Sequence, residues 1–144
     1  MATRKKTWVE KRELANALAK KEVLAKGFAD IPAGATMLVP TPKMVDAYVR
    51  QLADGIAGSL AQMRKDLAAA HGAQYSCPVT SGIFLRTVAE AAWEELQAGK
   101  KLHQVAPFWR IIPPGSPTAK KLSFGTDFLL EMRAKEKLDM PKAK

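Results

Sequence analysis

Residues 74–82 read QYSCPVTSG and contain Cys77, the one cysteine of the chain. A thiolate is a strong nucleophile, a helix N-terminus lowers a thiol's pKa, and Pro78 directly after Cys77 suits the first turn of a helix. On these residues alone Cys77 reads as an activated thiol, with a ligand or a small filler as the other readings. One cysteine forms neither an internal disulfide nor a thiolate cluster, and His71 and His103 have no HxxxH or CxxC beside them, so neither a metal site nor a cofactor is expected. Glu94 and Glu95 in WEEL are adjacent, and adjacent helical residues do not share a face, so they read as solvated rather than as a paired acid and base. No glycine-rich phosphate loop and no Ser-His-Asp arrangement stands out. Thr80 and Ser81, in the first turn of the same helix, suit either phosphate contacts or simple capping, because a helix N-terminus presents free N–H groups and a positive dipole end.

Charge bears more directly on function. The chain has 144 residues and a formal net charge of +9, the balance expected of a polyanion binder. Residues 1–26 contribute +5, residues 27–118 contribute +1 and residues 119–144 contribute +3, so the excess lies at the two ends. That distribution fits either an aid to nucleic-acid binding or plain solvation of the ends. Nothing at the N-terminus reads as a signal peptide, and a cytoplasmic location is expected. The uncharged runs are too short and too broken by Gly and Pro to span a bilayer, so no membrane partner is expected.

The elements that would position these residues are mostly helical. TWVEKRELANALAKKEVLAKGF sets Val9, Leu14, Ala17, Leu18, Leu24 and Phe28 near helical spacing with Gly27 as a stop, which predicts one amphipathic helix. DIPAGATMLVPTP predicts an extended connector, and the compact domain is expected to begin near Val39. A helix follows Thr41 and Pro42, with Met44, Val45, Tyr48, Val49 and Leu52 on one face and Gly55 at its end. A second follows Ser59, with Leu60, Met63 and Leu67 inward and Gly72 after His71. The third and longest starts at Pro78, with Ile83, Phe84, Val88, Ala91 or Ala92 and Leu96 inward and Gly99 as its stop. The second and third helices have the order of a helix-turn-helix, although any helical hairpin gives the same pattern. A proline-rich loop then leads to a last helix bearing Phe128, Leu129 and Met132.

Three segments in this order, VRQLADGIAGSLAQMRKDLA, PVTSGIFLRTVAEA and PFWRIIPPGS, resemble the DNA-binding domain of the O6-alkylguanine DNA alkyltransferase family, over roughly Pro40 to Glu136. They are similar to the family's segment leading into the helix-turn-helix, to its recognition helix, and to its PCHRV active-site stretch with the serine loop behind it. The resemblance implies a small, mainly α (α+β) domain of winged-helix type that enters the minor groove and rotates a damaged guanine into a pocket. The family's acceptor cysteine and its histidine fall on Phe108 and Trp109, and neither side chain accepts an alkyl group or moves a proton. The family's phosphate-pushing tyrosine falls on Leu60 beside a matching Ser59. Its arginine finger falls near Gly82, and Arg86 stands about one turn later. Replacement of the cysteine resembles the alkyltransferase-like branch, which binds alkylated bases without repairing them.

The resemblance therefore implies a non-catalytic binder of double-stranded DNA, alkylated DNA included, and a monomer. Its expected DNA contacts are Ser59, Arg64, Lys65, Thr80, Ser81, Gly82 and Arg86. Its expected base pocket is Phe108, Trp109, Arg110 and Ser116, with the alternative that Phe108 and Trp109 plug the former active site and that Arg110 shapes the loop by hydrogen bonds. The expected organisation is a basic helical extension and connector over 1–38, the alkyltransferase-like domain over 39–138, and a basic tail over 139–144. A protein-interaction or scaffold module is the alternative function, and an enzyme using Cys77 is a third.

Overall fold

A computed structural model describes residues 7–13 and 20–138. Its order is α1 (Trp8–Arg12), β1 (Lys20–Val23), β2 (Thr36–Val39), α2 (Pro42–Arg50), α3 (Leu60–Ala70), β3 (Tyr75–Ser76), α4 (Pro78–Gln97), α5 (Pro117–Lys120) and α6 (Asp127–Lys135), with short 3-10 turns at Leu102–Gln104 and Phe108–Arg110. The fold is mainly helical with one small sheet, an α+β arrangement.

The expected N-terminal helix is corrected. Thr7 and Glu10 form a capping box that starts α1, but the helix ends at Arg12, and Lys20–Val23 is a strand instead. Leu14, Ala17 and Leu18 lie outside the described residues, as does the tail 139–144. β1 pairs antiparallel with β2, Lys20 opposite Val39, and β2 pairs parallel with β3, Met37 opposite Tyr75. Tertiary pairing overrides the helical spacing because Thr36–Val39 must satisfy its backbone on both sides, and Lys20–Val23 supplies one of them. The connector is thus part of the sheet. Met37 joins Ile31, Ala35 and Cys77 in a small second core, while Leu38 reaches the main one.

α2, α3 and α4 start where their caps indicate. Thr41 Oγ1 accepts from Met44 N–H, Ser59 Oγ accepts from Gln62 N–H, and α4 opens on Cys77 and Pro78 with no side-chain cap. Val45 and Val49 of α2, Met63 and Leu67 of α3, and Leu85, Val88, Ala89 and Ala92 of α4 meet in the main core. Ile83, expected inward, is 52% exposed; Leu85 takes the inward place two residues on, 200° around the helix. Arg64 ties β3 down through its carbonyl at Ser76, and Ser76 Oγ donates back to Arg64 O. No strand follows α4 among the described residues, so the sheet precedes the second helix of the α3–α4 pair.

An aromatic cluster closes the far end of the core. Phe108 lies 5.5 Å from Trp109, 5.7 Å from Phe124 and 5.7 Å from Phe128, ring centre to ring centre, and Trp93 stacks on Phe124 at 4.4 Å. No helix among the described residues is long and apolar enough to cross a membrane.

Candidate nucleic-acid interface

The four residues expected to form one base pocket separate, and the expectation is corrected at Phe108. Phe108 is 0% exposed and enclosed by the aromatic cluster, whereas Trp109, 2% exposed, reaches with Arg110 the wall of a hollow of about 260 Å³ lined also by Arg50, Leu102, His103, Val105 and Pro107. The rings of Phe108, Phe124 and Phe128 fill the space between them, as expected of interiors packed to crystal density. Trp109 Nε1 donates to Glu136 Oε2 at 2.7 Å. Arg110 belongs to the same clamp: it donates to both oxygens of Glu136 and to Leu52 O, while Gly58 N–H donates to Arg110 O. Burial pushes the Glu136 carboxyl up, but hydrogen bonds from Arg110, Trp109 and the Gly55 N–H, with the Arg110 charge, outweigh it and hold the pKa below the ordinary glutamate value. The clamp fastens the loop after α2, the 107–112 segment and the end of α6 to one another.

The expected DNA contacts separate into several places. Ser81 is 0% exposed and its Oγ has no hydrogen-bond partner, so a phosphate contact from Ser81 is corrected: its side chain faces the core. Thr80 Oγ1 is likewise buried and unpartnered. Arg64 grips Asp30 through two nitrogens at 2.9 Å each and lines a shallow depression with Lys65, away from α4's exposed face. Cys77 is buried at the α4 N-terminus and packs in the second core as a small apolar residue.

Gly82 and Arg86 come together on an open surface. They line a groove of about 670 Å³ with Val79 and Ile83 of α4, Trp8 and Lys11 of α1, and Pro117, Thr118 and Lys121 at α5. Val79 is 53% exposed, and with Ile83 one turn on it presents apolar surface to solvent. A Cβ placed on Gly82 would meet nothing within 4 Å, so the helix surface there is bare. Trp8 carries two cations, with Lys11 Nζ 4.1 Å and Arg86 Cζ 5.0 Å from its ring centre. A smaller hollow of about 250 Å³ shares Leu60, Pro117 and Thr118 with the groove and is lined by Ser59, Leu85, Ile111, Ile112 and Ser116. Ser59 and Ser116 are the helix caps of α3 and α5, and their hydroxyls are the polar side-chain atoms there apart from Thr118. Neither groove nor hollow is lined by a carboxylate, an imidazole or a thiol.

Sequence reasoning missed Trp8, Lys11, Val79 and Lys121. The i, i+4 pair Val79 and Ile83 is a signal that was present, since the inward stripe of α4 is complete without it. Nothing in the sequence places Trp8 or Lys121 beside α4. Comparison with protein-family models, with curated proteins and with solved structures finds no match.

Proposed function

We propose that the chain is a non-catalytic DNA-binding module that presents the N-terminal half of α4 to the minor groove. The observation that carries this reading is the exposed apolar pair Val79 and Ile83 beside the bare surface of Gly82, with Lys11, Arg86 and Lys121 lining the same groove. Apolar side chains that wedge at base steps, flanked by cations that neutralise phosphates, are the combination minor-groove binders use. In this reading α3 and α4 are the helix-turn-helix of a winged-helix-type domain whose small sheet precedes α4. The hollow beside Ser59 and Ser116 has room for one unstacked base, alkylated bases included, in place of the sealed region around Phe108. The lining offers amines and hydroxyls but neither the thiol nor the imidazole that alkyl transfer in the similar family uses, which supports binding without that transfer.

Titration of labelled duplexes tests it: one intact, one with a single unpaired base, one with O6-methylguanine, each across a range of salt. Binding that weakens linearly in log–log form with salt supports the DNA reading, and a preference for the unpaired or alkylated duplex supports the hollow. Equal, very weak, salt-insensitive binding to all three removes both. A protein-binding groove is the second reading, favoured by the apolar floor at Pro42, Leu60 and Phe84.

A further inference from the structure

The groove is not made by the helix-turn-helix alone. Trp8 and Lys11 belong to α1, a helix of five residues, and isolated helices this short are not stable in water. Its position is therefore imposed by what it docks on. Glu94 of α4 caps it: Oε2 accepts from Trp8 N–H at 3.0 Å and Oε1 from Val9 N–H at 2.9 Å. Arg12, 6% exposed, donates to Glu95 Oε1 at 2.6 Å. Lys100 also pairs with Glu95, and Glu13 pairs with Arg12 and Lys43. Trp8 in turn lies against Arg86, whose Nε is 3.6 Å from Glu90 Oε2 and forms no hydrogen bond. The two adjacent carboxylates thus act on different parts of one arm, Glu94 on its N-terminal N–H groups and Glu95 on its last arginine.

We propose that α1 is a docked arm that completes the DNA-binding groove, and that Glu94 is its positioning residue, setting Lys11 and Arg86 where they meet phosphate. This rests on the DNA reading above. Glu94 touches no ligand; it acts through the arm. When the cap is lost, Trp8 and Lys11 leave the groove and Arg86 loses the ring it rests on.

A double-mutant cycle on the full chain tests it, with duplex affinity measured across salt for the parent, Lys11→Ala, Glu94→Ala and the double variant. Lys11→Ala is expected to make the plot of log affinity against log salt shallower by about 0.9, the loss of one phosphate contact, Glu94→Ala by about 0.9 to 1.8 because Arg86 is displaced as well, and the double variant to be no shallower than Glu94→Ala alone. Hydrogen exchange supplies the structural readout: in Glu94→Ala the Trp8 and Val9 amides lose protection while the amides of Leu85 to Ala92 keep theirs. Effects that add in the double variant overturn the proposal, as does a parent-like slope for Lys11→Ala. Tighter binding by Glu94→Ala also overturns it, because the arm would then obstruct the groove. A parent whose weak binding ignores salt overturns the DNA reading itself, and this inference with it.

Discussion

The 107–112 segment and the first two turns of α4 have opposite fates. In the first, Phe108, Trp109, Ile111 and Ile112 are almost wholly buried, and Arg110 is spent on Glu136 and Leu52. In the second, Val79 and Ile83 stand about half exposed with cations nearby, although nothing in their residue types marks them as surface. The difference teaches that apolar residue type does not decide placement: the aromatic pair is enclosed as core, whereas the apolar pair on the long helix stays at the surface, where the proposed interface would lie.

The comparison breaks most readily at Phe108. Phe108→Ala removes a fully buried ring and is expected to cost about 3–5 kcal/mol in denaturant unfolding. A loss below about 1 kcal/mol would mean the cluster is loose enough to admit a ligand.

Glu136→Ala is expected to destabilise by about 3 kcal/mol, since it leaves the half-buried Arg110 and the Trp109 N–H without their shared acceptor. The same carboxylate sets an acid limit. Its folded pKa lies below its unfolded value, so on acidification the unfolded chain binds the proton first. Its stabilisation is full above the ordinary glutamate pKa and is lost as pH falls through the depressed folded value. Urea midpoints between neutral and acid pH should therefore fall less steeply in Glu136→Gln than in the parent. Glu95 acts in the same sense: burial raises its pKa, but Arg12 and Lys100 lower it further.

On the open side the expected pattern reverses. Ile83→Asp should change stability by no more than about 0.5 kcal/mol, because the side chain is half exposed, yet weaken duplex binding about tenfold, or 1.4 kcal/mol. An unchanged affinity would move the interface elsewhere. The smallest effect belongs to Lys121→Ala, expected to leave stability unaltered and to reduce the salt slope by about 0.9.

Caps and breakers were legible from sequence. Thr41, Ser59 and Pro78 start helices because a side-chain acceptor or a ring that needs no N–H suits the first turn, whatever lies around it. Register on α4 was legible only in part: Val88, Ala91 and Ala92 are buried as their spacing indicates, but Ile83 faces out, because an apolar residue is permitted on either face and only the packing partner decides. Of the expected interface, Gly82 and Arg86 share the groove and Ser59 and Ser116 the hollow; Arg64 is held by Asp30 and Ser81 is enclosed. Charges and hydroxyls read along a chain carry no information about which of them already have a partner.

By itself, the sequence determined a mainly helical chain with basic ends and helix starts set by local hydrogen bonding. The tertiary structure alone decided that Lys20–Val23 is a strand, that Phe108 is sealed, and that Trp8 and Lys11 reach α4 through Glu94. Capping and turn preferences act over three or four residues and are written locally. Strand pairing, enclosure and the bond between Trp8 and Glu94, 86 residues apart, depend on which surfaces the folded chain brings together.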